Sequence, residues 1–326
     1  MRIIDVKAPG GPEQLVVADV PVPKAGRGEV LIKVAASGLN HADLYQREGK
    51  YPPPPGASPI LGMEVSGTIA ELGPECDPRW KTGDRVCALL AGGGYAEYCT
   101  APAGQCLPVT SEMDLIDAAA LPEAVFTVWA NLFEPRRISA DETLLVQGGS
   151  SGVGSTAIQI AHAFGARVAA TAGSTKKVEF CLNIGCECAF NYHEDWFAGA
   201  REWTQPDGID VILDMVAGEY FAKHLELLAK DGRLIHIATQ RGAKVELDLR
   251  SVMMKRLIVT GSTLRSRSVA EKTALRDSIE REVWPLLAEG KLRPVVYCAF
   301  PLAEAAEAHR LMESSRHIGK LLLRMD

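Results

Sequence analysis

The chain has 326 residues, 47% of them hydrophobic and 23% charged, with a formal net charge of −6. At about 100 to 200 residues per domain this length predicts two domains, and the ordinary balance of apolar and charged residues excludes a disordered chain, a fibrous repeat and a small disulfide-stapled scaffold. The 35 basic and 41 acidic side chains are spread without a basic block, which argues against nucleic acid as a partner and leaves a small neutral or anionic molecule as the expectation.

Taken in chain order, Met1-Arg2-Ile3-Ile4-Asp5-Val6-Lys7 puts an acid and a second base where a signal peptide needs its apolar region, so a cytoplasmic location is expected. The first 120 or so residues read as short strands and loops. Residues 29–35 alternate, with Val30, Ile32 and Val34 on one face, and glycine or proline interrupts the pattern repeatedly. From about residue 122 the rhythm changes to strand, helix, strand: strand 144–147, an amphipathic helix over 152–164 with Val153, Ala157, Ile160, Ala161 and Phe164 on one side, then strand 167–171. The alternation continues through strand 208–214, helix 219–229, strand 232–238 and strand 257–262, which predicts an α/β fold with a doubly wound parallel sheet. A helix over 268–287, a strand over 295–300, a helix over 302–313 and a strand over 318–324 complete the chain. Residues 143–166 lack Asp, Glu, Lys and Arg and are long enough to cross a bilayer, but the run from Gly148 to Ser155 is too polar and glycine-rich, so no membrane span is expected. The eight cysteines are expected to be free thiols; the only near pair, Cys186 and Cys188, has no second pair with which to build a structural zinc site.

The turn Gly149-Ser150-Ser151-Gly152-Val153-Gly154 follows a strand and opens a helix, the setting in which backbone N–H groups approach a pyrophosphate. Ser151 stands where the strict fingerprint has its second glycine, so an ordinary strand-to-helix turn is the alternative. At the end of the next strand an NAD-binding unit places an acid for the ribose hydroxyl; here the stretch is Ala172-Gly173-Ser174-Thr175-Lys176-Lys177, with none. A hydroxyl and two ammonium groups suit the dianionic 2′-phosphate, which makes NADPH the expected cofactor. The alternative for the lysines is a solvated first helical turn, where cations sit badly against the helix dipole.

Several separated motifs carry a resemblance: Ser37-Gly38-Leu39-Asn40-His41-Ala42-Asp43, Leu61-Gly62-Met63-Glu64-Val65-Ser66-Gly67, Gly83-Asp84-Arg85-Val86, Gly94-Tyr95-Ala96-Glu97-Tyr98, the glycine-rich turn, Phe190-Asn191-Tyr192, Leu264-Arg265-Ser266-Arg267 and His317-Ile318-Gly319-Lys320. From end to end the chain resembles the zinc-free quinone oxidoreductases, the zeta-crystallin-like group of the medium-chain dehydrogenase/reductase superfamily, and more narrowly the damage-inducible NADPH quinone oxidoreductase branch. The resemblance implies a GroES-like β-rich catalytic domain, 1–121 completed by 266–326, around a Rossmann NADPH-binding domain at 122–265, with the active site in the cleft. It also implies a homodimer joined through the strand at 257–262.

Zinc-dependent relatives carry Cys and His at the positions of Asn40 and Met63, and a four-cysteine lobe that has no counterpart between Val86 and Gly104. An amide and a thioether are not competent zinc ligands in a three-ligand site, so the acceptor must already be electrophilic, as a quinone is. An enoyl-thioester or enone reductase is the alternative activity, and a non-catalytic NADPH-binding or RNA-binding role a further one.

Position by position, the resemblance places Asn40, Asp43 and Tyr51 at the substrate, with Tyr45 close by; Asn and Asp three apart are also a cap for a helix starting near His41. Tyr51 precedes the conformationally restricted run Pro52-Pro53-Pro54-Pro55. Thr127 is implied against the nicotinamide, Ser151, Gly152, Val153 and Gly154 around the pyrophosphate, and Gly173, Ser174, Lys177 and Tyr192 toward the 2′-phosphate. Thr239 lies just after a strand, at the edge where a Rossmann ligand sits. Leu264, Arg265, Arg267 and Lys320 fall where relatives contact the nicotinamide end and the phosphates, a surface lysine being the alternative for Lys320. Glu64, Asp214 and Gly218 read as structural. Proton delivery falls to a water or the Tyr51 hydroxyl.

Overall fold

Strand Glu29–Gly38 is ten residues long and buried over most of its length, and it pairs antiparallel with three others: Glu64–Leu72, Tyr98–Pro102 and Lys320–Arg324. In the computed structural model, which describes residues 1–134 and 136–325, this strand organises the first of two units, formed by Met1–Phe126, Arg265–Glu282 and Pro294–Asp326. Its seven-stranded sheet runs in the order Val296–Pro301, Lys320–Arg324, Glu29–Gly38, Glu64–Leu72, Arg85–Leu89, Cys106–Pro108, with Tyr98–Pro102 off the path on Glu29–Gly38. The C-terminal strand Lys320–Arg324 therefore completes a sheet begun near the N-terminus. Val30, Ile32, Val65, Ile69, Trp80 and Val86 fill one core of the unit, and burial of such side chains, each worth about 1.5 to 3 kcal/mol, is its main stabilisation.

The second unit, Thr127–Leu264 with Val283–Arg293, holds six strands that are all parallel, in the order Cys188–Asn191, Arg167–Ala172, Thr143–Val146, Ile209–Asp214, Leu228–His236, Ile258–Gly261. This is the doubly wound Rossmann order, and the direction of winding reverses between Thr143–Val146 and Ile209–Asp214. Ligands of such sheets sit outside the carboxyl ends of the strands at that reversal. The four residues of Thr143–Val146 are all buried, as a strand covered by helices on both faces requires. Mixed α/β architecture, a β-rich unit and a parallel Rossmann sheet are thus all present.

Some local expectations differ. The helix anticipated over 268–287 is two helices, Val269–Glu282 and Trp284–Ala288; Pro285 lacks the N–H that a continuous helix would use and sits in the first turn of the second. The helix anticipated over 219–229 is a short 3-10 turn and helix Phe221–Leu227, after which the apolar Leu228 and Ala229 already belong to a strand. Helix Pro122–Leu132, helix Thr175–Asn183, helix Trp196–Thr204 and helix Leu249–Lys255 are elements the periodicity did not single out. All eight cysteines are free, and burial pushes the Cys106 and Cys181 thiols up to about 12, which leaves them unreactive. Among the described residues no helix is long and apolar enough to cross a membrane.

Candidate active site

In the first unit, Gly38 ends the central strand directly beneath the Glu64 carboxylate: a Cβ there would lie 2.2 Å from Glu64 Oε1, so only glycine leaves that oxygen its place. Asn40 then starts helix His41–Arg47 in extended backbone. Its amide is divided between two charges, Nδ2 donating to Glu64 Oε1 at 2.9 Å and Oδ1 accepting from Lys320 Nζ at 2.7 Å. Lys320 Nζ also lies 2.5 Å from Glu64 Oε1 and donates to the Leu39 carbonyl at 2.8 Å. The other Glu64 oxygen, Oε2, accepts the Glu123 backbone N–H at 2.8 Å. A fully buried carboxylate is therefore satisfied by an ammonium, an amide and a peptide N–H, which is what its desolvation demands. The sequence reading identified Glu64 as a residue orienting the domain through hydrogen bonds but did not pair it with Lys320, which is 4% exposed. That lysine is neither a surface residue nor turned out toward a phosphate.

Asp43 is also fully buried, and its surroundings are those of a helix cap. Oδ2 accepts the Asn40 N–H at 2.8 Å, Oδ1 accepts the Gly62 N–H at 3.0 Å, and the Tyr95 hydroxyl approaches at 3.4 Å. Burial raises its carboxyl to about 6, opposed by the two backbone bonds and by the positive charges of Lys320 and Arg265. Capping and the contacts with Gly62 and Tyr95 thus occupy Asp43, and the expected direct contact with substrate has no exposed oxygen to make it.

Tyr51 is half-buried and its ring carries the Arg265 guanidinium at 5.3 Å. Arg265 donates to Ala91 O at 2.8 Å and Gln46 Oε1 at 2.6 Å, and Gln46 in turn donates to Pro59 O at 2.8 Å. Lys272 Nζ donates to the Arg265 carbonyl at 2.8 Å. The cation expected near cofactor phosphates is therefore largely committed to holding the proline loop against helix His41–Arg47. Burial raises the Tyr51 hydroxyl above its ordinary range, with Arg265 opposing and Glu123 adding to the shift. Tyr45 is exposed on the same helix, and its carbonyl accepts the Tyr51 N–H at 3.2 Å. Arg267 is half-buried beyond the stretch that carries Arg265.

In the second unit, Ser151 caps the twelve-residue helix Gly152–Ala163, its hydroxyl accepting the Gly154 N–H at 3.0 Å, while Gly152 and Val153 stay partly exposed at the helix start. The next helix, Thr175–Asn183, is capped by Ser174 and has no acid in its first turn. Gly173 packs so tightly under Tyr192 that a Cβ would fall 2.2 Å from the phenol oxygen. That contact brings Tyr192 beside Ser174, and half-buried Lys177 follows one turn on. Desolvation lowers the Lys177 ammonium from its ordinary value. Thr239 is exposed three residues beyond the end of strand Leu228–His236, Leu264 is buried, and the Thr127 carbonyl accepts from Asn131 Nδ2 at 2.9 Å.

Across the second unit runs a buried polar chain that the sequence reading missed. Thr171 donates to Gln147 Oε1 at 2.6 Å, Gln147 Nε2 meets His224 Nε2 at 2.9 Å, and His224 and His236 present Nδ1 to Asp214 Oδ2 at 3.5 and 3.0 Å. Asp214 also accepts the N–H groups of Val216 and Ala217. Desolvation holds the His224 imidazole down at about 4, so it is neutral at physiological pH. Single His and Gln residues, scattered over a helix, a strand and a strand end, give no periodic signal by which this chain could have been read.

Two family profiles match: the alcohol dehydrogenase GroES-like domain over residues 26–111 and the zinc-binding dehydrogenase domain over residues 184–323. The quinone oxidoreductase of Rattus norvegicus is 35% identical over 327 residues, covering 99% of this chain and 97% of its own. The chain belongs to the quinone oxidoreductase family of the medium-chain dehydrogenase/reductases. Among solved structures, the Escherichia coli quinone oxidoreductase complexed with NADPH superposes with a TM-score of 0.88 at 27% identity, covering 99% of this chain and 100% of that one. An NAD-dependent alcohol dehydrogenase gives a TM-score of 0.88 at 33% identity with full coverage of both. The chain is thus an oxidoreductase.

The zinc that the second profile's description implies does not fit the residues present. Asn40 and Met63 replace thiolate and imidazole, the Glu64 carboxylate beside Asn40 is neutralised by Lys320, the Asp43 carboxylate is taken up by backbone N–H groups, and no group of three His, Cys, Asp or Glu suited to a metal occurs among the described residues. Because the ion pair is buried, removing one partner strands the other's charge. Lys320→Ala should therefore destabilise the first unit by about 3 to 5 kcal/mol, whereas Lys320→Met combined with Glu64→Gln should recover most of the loss. Chemical denaturation at neutral pH, followed by tryptophan fluorescence, checks both.

Proposed function

We propose that the protein is a cytoplasmic NADPH-dependent quinone reductase with a small-molecule acceptor and no nucleic-acid partner. The observation that carries the reading is the Asn40–Glu64–Lys320 cluster: where zinc-dependent dehydrogenases need soft and imidazole ligands, this chain has an amide held by a buried ion pair. Without ligands for a Lewis acid, the acceptor has to be electrophilic already, and a quinone is. The end-to-end likeness to proteins named quinone oxidoreductase supports the same substrate class.

The residues of the second unit suit a dinucleotide phosphate. The exposed start of helix Gly152–Ala163 offers Ser151, Gly152, Val153 and Gly154 to the pyrophosphate. Ser174, Lys177 and Tyr192, with Gly173 leaving room for the phenol, suit the 2′-phosphate, and the absence of an acid removes the usual partner of a free ribose hydroxyl. Thr127 is the proposed neighbour of the nicotinamide. NADPH, when bound, supplies the hydride.

On the substrate side, Asn40 Nδ2 keeps one N–H beyond the one given to Glu64, and the half-buried Tyr51 ring has Arg265 fixing it. Both orient a flat, oxygen-bearing acceptor, and the contribution is mainly one of positioning. Steady-state oxidation of NADPH should be faster with benzoquinone, 1,2-naphthoquinone or 9,10-phenanthrenequinone than with an enoyl thioester; the reverse order would move the assignment to enoyl reduction.

For the cofactor, Lys177→Ala should weaken NADPH by roughly ten- to a hundredfold, the worth of a charge-assisted phosphate contact, and leave NADH almost unchanged. Equilibrium titration by nucleotide fluorescence reads both, and equal losses would refute the assignment.

The edge strand Ile258–Gly261 is exposed throughout and pairs on one side only, with Leu228–His236, and Leu249, Met253 and Met254 nearby are 63%, 75% or more exposed. An unpaired edge flanked by apolar side chains favours pairing with its like, so we propose a homodimer. Light scattering should give about twice the 35.1 kDa chain mass, and Val259→Lys, which places a charge on the edge, should shift it toward the monomer.

A further inference from the structure

Glu123 is the second residue of helix Pro122–Leu132, and its backbone N–H is anchored on Glu64 Oε2 at 2.8 Å. Its side chain, in contrast to that of Glu64, has no hydrogen-bond or ion-pair partner among the described residues and remains partly exposed. The charged and titratable groups around it are Glu64, Asp43, Lys320 and Lys272, with Tyr51 and Arg265 also within electrostatic reach. The unit thus brings two carboxyl-bearing residues together through the Glu123 N–H on Glu64 Oε2 and treats them differently. Glu64 is closed off by Lys320 and Asn40, while the Glu123 side chain is half-buried and has no such partners among the described residues.

We propose that Glu123 is a catalytic acid that donates the proton required for reduction of the acceptor. This inference rests on the reading of the protein as a quinone reductase. Reduction of a quinone to a hydroquinone adds two electrons and two hydrogens: one hydrogen comes with the electrons as hydride and the other as a proton. In the proposed step the Glu123 O–H bond breaks, an O–H bond forms on the quinone oxygen, and the Glu123 carboxylate regains its proton from water.

The electrostatics agree with this geometry. Burial, reinforced by the adjacent Glu64 charge and by Asp43 and opposed by Lys320 and Lys272, raises the Glu123 carboxyl to about 7, so a large share is protonated at physiological pH. The Tyr51 hydroxyl, the other candidate, is shifted upward from a much higher starting value and holds its proton more tightly. Two neighbouring carboxyls whose surroundings separate their behaviour are the usual mark of divided acid–base roles.

The test is the pH dependence of kcat/KM for NADPH oxidation by 1,2-naphthoquinone, with Kd for NADPH and thermal melting measured in parallel. The wild type should be most active below pH 7 and lose activity as pH rises through about 7, where the acid is lost. Glu123→Gln should bind NADPH as the wild type does, fall about a hundredfold in rate and lose that ionisation. Glu123→Asp, which keeps the acid on a shorter arm, should retain a falling limb at a reduced rate, and it decides the matter if the glutamine variant does not fold. A glutamine variant with wild-type rate, or one that keeps the same falling limb, overturns the proposal. A wild type that binds NADPH but reduces none of the quinones overturns the underlying reading instead.

Discussion

Burying the Glu64 carboxylate is the constraint around which the first unit is arranged. A carboxylate with no exposure has to be matched charge for charge and bond for bond, and Lys320, Asn40 and the Glu123 N–H do so from three segments that the chain brings together from far apart. Gly38 is small because Glu64 Oε1 needs the volume. Lys320 opens the strand that crosses back beside Glu29–Gly38, so the ion pair ties the C-terminal strand to the sheet and also sets the rotamer of Asn40. The same arrangement leaves Glu123 as the carboxyl without a counter-charge in contact, and burial together with the neighbouring Glu64 charge raises its pKa.

The second unit solves a comparable problem with neutral groups. The ends of four parallel strands and helix Phe221–Leu227 contribute the polar side chains of a chain that runs from Thr171 through Gln147 and His224 to Asp214 and His236. Buried polar groups linked to one another in this way tie neighbouring strand ends together. Asp214 extends the effect into the loop that follows, where its carboxylate holds Ala217 at φ 56°, a backbone conformation unfavourable for a residue with a side chain.

Several basic and acidic residues that the family resemblance points toward ligands are turned into the protein. Asp43 caps its helix and receives Gly62, Arg265 clamps the loop after Tyr51, and Lys320 neutralises Glu64. These are positioning roles: each keeps Asn40 or Tyr51 in one place, and those of Arg265 and Lys320 are invisible in a motif because the partner lies on another segment.

By itself the sequence determined the strand and helix rhythm of the Rossmann unit, the glycine-rich turn and the missing acid after strand Arg167–Ala172, while the replacement of zinc ligands at Asn40 and Met63 came from the family resemblance. The first three are local: periodicity, turn chemistry and side-chain identity act within a few residues and need no knowledge of what packs against them. Helix Leu249–Lys255 escaped because its seven residues, with Leu249, Met253 and Met254 exposed, are too few to give a sustained apolar period. Only the tertiary structure decided that Lys320 is a buried counter-ion, that Asp43 is closed to solvent and that Glu123 is not paired. The physical reason is that burial and charge pairing depend on residues from distant segments, and the free energy of a charge is set by the dielectric and partners around it, neither of which is written at its own position.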